Sequence, residues 1–155
     1  MKFDLSVIET SKRDITAGLR LPDLLTEELA EFLGIMVGDG HLGYYTGING
    51  RGRNYVIYEI KISGNKIENE YLEYIMNLFH SLFGMKLYYT KDTGFNSIIL
   101  RKNSKGILQF LNKICGIPLN HKTSIVEIPE IIKNSDSSIK CAFLRGLTDT
   151  DFTVT

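Results

Sequence analysis

The chain has 155 residues, with 18 Lys and Arg against 18 Asp and Glu, so its formal net charge is zero and its pI lies near 6.8. That length suits one domain, and 43% apolar residues suffice for a core. It has no run of 18 apolar residues and no signal-peptide pattern, which argues against a membrane partner and predicts a soluble, intracellular, cytoplasmic protein. Cys115 and Cys141 stand alone, without metal-ligand spacing, and read as reduced thiols.

Residues 1–25 show no clear period and read as an N-terminal extension, with Asp14–Leu25 a short helix or a loop broken at Pro22. Thr26 is the expected N-cap of a helix running to about Gly38, and Glu27 and Glu28 suit its positive end. Asp39-Gly40 falls at the other end, where glycine permits a left-handed exit. A carboxylate there opposes the helix dipole at a cost of about 0.3–1 kcal/mol unless a cation is present.

Two strands follow. His41–Ile48 leads into a Gly- and Asn-rich turn at Gly47–Gly52, and Asn54–Ser63 is the clearer strand. Val56, Tyr58, Ile60 and Ile62 alternate onto a face expected to be buried; Tyr55, Ile57, Glu59, Lys61 and Ser63 take the polar face. Asn65 with Glu68 reads as a capping box for a helix Lys66–Phe83, ended by Gly84. A second hairpin, Met85–Lys91 and Phe95–Lys102, turns at Asp92-Thr93-Gly94. A helix Ser104–Ile114 stops at Gly116 and Pro118, Ile128–Lys133 is a short helix or turn, and Ser137 or Ser138 caps a last helix to about Thr150. Hairpins alternating with helices predict an α+β fold.

The neutral total hides an uneven distribution. Residues 41–66 and 85–105 hold nine Lys and Arg but only Glu59 and Asp92 as acids, leaving nine basic and sixteen acidic residues elsewhere. Basic hairpins can present a positive face to nucleic acid, although strand surfaces also carry Lys and Arg against edge pairing.

The first and last helices share a pattern. Leu29–Gly40 reads Leu-Ala-Glu-Phe-Leu-Gly-Ile-Met-Val-Gly-Asp-Gly, and Ala142–Val154 echoes it as Ala-Phe-Leu-Arg-Gly-Leu-Thr-Asp-Thr-Asp-Phe-Thr-Val. Each places small residues four apart, Gly34 and Gly38 in one and Gly146 and Thr150 in the other, then an aspartate, Asp39 or Asp151. Small-residue strips let two helices pack backbone to backbone, at or inside the short end of the usual ~8–10 Å range. Helices that close in this way bring their terminal acids together, and paired carboxylates can hold a divalent metal. The backbone carbonyls of Gly38 and Thr150 would point the same way.

These residues resemble the LAGLIDADG family of homing endonucleases. Phe32–Gly40 matches the nine-residue motif with its acidic eighth position at Asp39; Leu144–Phe152 matches with Asp151 there, but closes on Phe152 instead of glycine. The resemblance implies an αββαββα half-unit over residues 26–136, whose saddle-shaped antiparallel sheet sits on DNA, with a second motif helix at 137–155 and a second half-unit that breaks off. It implies site-specific cleavage of double-stranded DNA with Mg²⁺, linked to an intron or intein. Asp39 and Asp151 carry over as metal ligands and catalytic acids, and Lys122 falls where family members place a lysine that stabilises developing charge. Asn65 is a lesser candidate to orient water, and His41 to touch a phosphate. Asp149 is expected to cap or pair.

Candidates for DNA contact are Tyr44, Thr46, Arg51, Arg53, Tyr55, Lys61, Lys86, Tyr88, Asn96 and Arg101, with facing uncertain by one residue. An uncovered strip at Gly34 and Gly38 would suit a homodimer through the motif helices. The rival readings are a non-cleaving DNA- or RNA-binding module, such as a maturase or regulator, and an inactive remnant.

Overall fold

A four-stranded antiparallel sheet in the order β1-β2-β4-β3 organises the protein. A computed structural model describes residues 2–91, 97–120 and 127–151, without the side chains of Lys91 and Asp151. The elements are α1 (Lys12–Thr16), α2 (Glu27–Asp39), β1 (Gly40–Ile48), β2 (Asn54–Asn65), α3 (Asn69–Phe83), β3 (Tyr88–Lys91), β4 (Ser97–Asn103), α4 (Lys105–Gln109), α5 (Glu130–Lys133) and α6 (Ser137–Asp151). This is an α+β fold. Among the described residues no helix is long and apolar enough to cross a membrane.

Local chemistry explains most boundaries. Thr26 Oγ1 accepts from Leu29 N at 3.2 Å and starts α2. The expected left-handed exit at its end is absent: Gly40 has φ −91° and continues into β1. Glycine is needed there for space, since a Cβ would lie 2.6 Å from Met36 Cα. Asn65 Oδ1 accepts from Ile67 N, but it caps a 3₁₀ turn at Lys66–Glu68, and α3 begins only at Asn69. Gly84 closes α3 with φ +72°. Ser104 caps α4, which widens into a π-helical turn over Phe110–Ile114. Asp136, not Ser137 or Ser138, starts α6: its Oδ1 accepts from Ile139 N at 3.0 Å and from Ser138 Oγ at 2.8 Å.

The register assigns the two faces. Leu42 pairs with Ile60, and Ile62 lies between Gly40 and Leu100; these apolar residues, with Ile98, are buried under the helices. Their core partners include Phe32 and Leu33 of α2, Phe79 and Phe83 of α3, and Phe110. Phe79 and Phe83 meet at a tilt with ring centroids 5.0 Å apart, and Phe32 lies 5.7 Å from each. Val56, expected in the core, is 44% exposed, because the outer half of the β1–β2 ribbon extends past the helices. The root of that ribbon is held by a side chain. Asn120, at φ +51°, accepts from Tyr44 N at 2.9 Å and donates to Tyr44 O at 3.0 Å, while its own N–H reaches Leu42 O. A carboxamide thus stands in for a neighbouring strand and covers part of an edge.

The first 25 residues bind back onto the core. Phe3 packs edge-on against Phe110 at 5.9 Å, and Arg20 N donates to Phe83 O. Asp14 is 1% exposed and fully used: it accepts from Ser11 N at 3.0 Å, Ser104 Oγ at 2.7 Å and Gly106 N at 2.9 Å. One carboxylate therefore closes the capping box of α1 and the first turn of α4 together.

Candidate nucleic-acid interface and motif seam

The two motif helices cross at their glycines. A Cβ on Gly34 would run into Phe143 O and lie 2.7 Å from Leu147 N; a Cβ on Gly146 would run into Glu31 O and lie 3.1 Å from Ile35 N. The contact is reciprocal: the carbonyl three residues before each glycine faces the other glycine. Thr150 is buried and returns its hydroxyl to Leu147 O and Gly146 O within α6. Because α6 already covers Gly34, a homodimer through this strip would need α6 to leave. Of the two covers the sequence allows for this strip, α6 of the same chain or a helix of another, the first is the one at Gly34.

Above the crossing sits a polar clasp that periodicity does not reveal. Glu31 is buried in the apolar stripe of α2, Tyr74 of α3 donates its hydroxyl to the carboxylate with 2.8 Å to each oxygen, and Arg145 Nη2 of α6 lies 3.5 Å from Oε2. Burial, then the bond to Glu31, holds the Tyr74 phenol above its ordinary pKa. The only signals of it in the sequence are an acid three residues before Gly34 and an arginine just before Gly146.

Tyr71, one turn earlier on α3, has a buried hydroxyl without a hydrogen-bond partner among the described residues. Burial, then the charges of Asp149, Glu31, Asp39 and Glu68, pushes its pKa well up. Carboxylates of α2 and α6 therefore share one neighbourhood. Asp39 is half-buried at the end of α2 and Gly38 beside it likewise. Asp151 is the last residue of α6, five beyond Gly146 as Asp39 is five beyond Gly34. Its side chain, Lys122 and Asn96 lie outside the described residues. Among the described residues no three His, Cys, Asp or Glu side chains group as metal ligands. Mg²⁺ commonly takes only one or two carboxylates and completes its shell with water, so such an ion does not require a group of three.

The open sheet face carries cations. Strand pairing aligns His41, Lys61, Arg101 and Tyr88 in a row across all four strands. Tyr45, Tyr55, Glu59 and Asn103 share that face. Arg51 and Arg53 sit exposed at the ribbon tip, their N–H groups donating to Asn49 Oδ1 at 2.9 and 3.0 Å. Lys86 is exposed just before β3. Tyr44 and Thr46 lie on the opposite face, since Tyr44 pairs with Tyr58 and Thr46 with Val56; the Tyr44 ring packs 5.5 Å from that of Tyr58. Arg101 Nε lies 3.0 Å from Glu59 Oε2, close enough for an ion pair but without hydrogen-bond alignment, so the guanidinium is held without being satisfied. Glu59 is the one acid among the described strand residues of this face.

No family model matches the chain. It is 28% identical over 128 residues to a protein of the A-type ATP synthase from Pyrococcus abyssi, covering 83% of this chain and 11% of that protein. It is 28% identical over 127 residues to a DNA polymerase of Methanocaldococcus jannaschii, covering 79% and 7%. The chain thus spans about a tenth or less of these curated relatives. Among solved structures it is similar to the homing endonuclease I-DmoI in complex with DNA and Mn, with TM-score 0.52 and 23% identity over 82% of this chain and 63% of that one. Mesophilic variants of I-DmoI give TM-score 0.54 and 23% identity over 80% and 57%. The structural neighbours are LAGLIDADG homing endonucleases, and this likeness establishes a shared fold.

Proposed function

We propose that this chain belongs to a site-specific, divalent-metal-dependent endonuclease of the homing type that cuts double-stranded DNA. The observation that carries the reading is the reciprocal Gly34–Gly146 crossing, within a fold shared with I-DmoI and beside a cationic open sheet face. Asp39 and Asp151 are the proposed metal ligands, with the backbone oxygens of Gly38 and Thr150. Hydrolysis of a phosphodiester needs an activated water and neutralisation of charge on the scissile phosphate, and a bound divalent ion supplies both. The I-DmoI complexes with Mn support a divalent ion of this kind, and Mg²⁺ has the same taste for oxygen.

The chain's own groups have separate tasks. The Glu31–Tyr74–Arg145 clasp holds α6 on α2 and so fixes the ends of both helices. Lys61, Arg101 and Tyr55 address the duplex, with Arg51 and Arg53 at the ribbon tip; a two-stranded ribbon fits the major groove. Lys122 is the proposed cation near the reacting phosphate. The two curated relatives have names with no activity in common, and the match fills a small part of each. That favours a module carried inside other proteins, as an intein would be, over one tied to either activity.

The test is cleavage of a supercoiled plasmid library with randomised inserts, in Mg²⁺ or Mn²⁺, with the junctions of linearised molecules sequenced. Recurrent junctions that vanish with Asp39→Asn or with chelator are expected. Linearisation indifferent to Asp39 and to metal would remove the mechanism. A second reading, a non-cleaving nucleic-acid-binding module, is favoured by Phe152 standing where the motif has glycine. It predicts salt-dependent mobility shifts with no cleavage in either metal.

A further inference from the structure

The N-terminal segment contributes a cation to the rim of the sheet that no motif announces. A cleft of about 320 Å³ lies between α1 and the β3–β4 ribbon, lined by Arg13, Tyr88, Thr90, Arg101, Lys102 and Asn103 among others. Among the described residues no carboxylate lines it. Among the described residues Arg13 and Lys102 have no ion-pair partner, and Lys102 Nζ sits 5.0 Å from the centre of the Tyr88 ring. Arg101 is the third cation, shared with Glu59 on its other side. Three cations around one small space repel one another, and that arrangement is relieved by an anion. Tyr88, Thr90, Arg101 and Asn103 belong to the open sheet face, and Lys102, opposite Ile60, reaches the cleft from the other face, so the cleft lies at the rim of that surface.

Asp14 explains why Arg13 stands where it does. Its buried bonds to Ser104 Oγ and Gly106 N fix α1 against α4, and the next residue back is carried out to solvent beside β4. An otherwise unremarked extension is thereby a rigid mount for a guanidinium. We propose that this cleft is a backbone-phosphate site, in which Arg13 and Lys102 receive a phosphodiester of the duplex lying on the open face. The proposal rests on the DNA-binding reading above and lengthens the footprint past the sheet edge. Arginine suits the role through its planar fork of donors, and the hydroxyl and amide groups of Thr90 and Asn103 are further donors to phosphate.

The experiment is fluorescence anisotropy of a labelled random-sequence duplex with the full chain across a range of KCl concentrations. Each neutralised phosphate contributes about 0.9 to the slope of log affinity against log salt. Arg13→Gln is expected to flatten that slope by about one and to weaken binding roughly three- to tenfold at moderate salt. Lys12→Gln makes the same charge change one residue away, outside the cleft, and is expected to leave slope and affinity within about twofold of wild type. Lys102→Gln gives an independent reading should Arg13→Gln unfold, and Arg13→Lys is expected to restore most of the slope. Wild-type binding with equal effects of Arg13→Gln and Lys12→Gln would sink the cleft alone. No binding by the wild type would overturn the DNA reading and the cleft with it.

Discussion

Alanine at Gly34 separates two effects of opposite sign. In an isolated helix, Gly→Ala is stabilising by about 0.5–1 kcal/mol, because the unfolded chain loses less freedom on folding. At the crossing, the new methyl would collide with Phe143 O and sit 2.7 Å from Leu147 N. Ordinary contact begins near 3.4 Å, so α2 and α6 must part by more than about 1 Å to clear Phe143 O. Both obstructing atoms are backbone, which cannot swing aside as a side chain would. Overpacking of this kind costs about 1–3 kcal/mol, and the upper end applies where backbone must shift. The net expectation is a loss of about 2 kcal/mol, which lowers the urea midpoint by roughly 1 M at a slope of about 2 kcal/mol/M. Gly146→Ala should behave alike, and the double variant should lose less than the sum, since one separation relieves both collisions. Equilibrium urea unfolding followed by far-UV circular dichroism measures all three. A Gly34→Ala protein as stable as wild type, or more so, would refute the close crossing.

Other outcomes follow from single contacts. Asp14→Ala strips the acceptor from Ser11 N, Ser104 Oγ and Gly106 N at once and is expected to cost about 2–4 kcal/mol in urea unfolding; a loss under about 0.5 kcal/mol would contradict the buried network. Glu59→Gln removes the acid from the cationic face and releases Arg101, so random-duplex affinity should rise and its salt slope steepen by about one. Weaker binding would mean that Glu59 instead presents Arg101. Asp136 is held below the ordinary carboxylate range by the bonds from Ile139 N and Ser138 Oγ. A depressed folded pKa makes this contribution present at neutral pH and lost as pH falls through the folded value. Asp136→Asn keeps an N-cap acceptor without the charge, so the fall in melting temperature between pH 7 and pH 3 should be smaller than for wild type.

The glycines of the seam are legible because the spacing within one helix decides which residues share a strip. The hairpins are legible for the same reason: alternation is local. What alternation does not carry is register between strands, and Tyr44 reads with Tyr55 and Lys61 although its partner Tyr58 belongs to the helix-covered face. Nor does it say how far a covering helix reaches, so Val56 reads as core. Asp14 is opaque because two of its three partners lie 90 and 92 residues away. Glu31 looks like an ordinary helix acid until Tyr74 and Arg145 arrive from two other helices. Asp136 outcompetes two serines for the cap of α6, a choice made by geometry among neighbours that the sequence offers equally.

The Asn120 carboxamide links two regions that are far apart along the chain. The β1–β2 ribbon is a lever with its tip at Arg51 and Arg53 and its pivot near Leu42 and Tyr44. Two side-chain bonds fasten that pivot to the residue directly before His121 and Lys122. A load applied to the tip is therefore borne at its root by a side chain 76 positions further along the chain. Cutting the fastener with Asn120→Ala would leave that root tied to residue 120 by the backbone bond to Leu42 O alone.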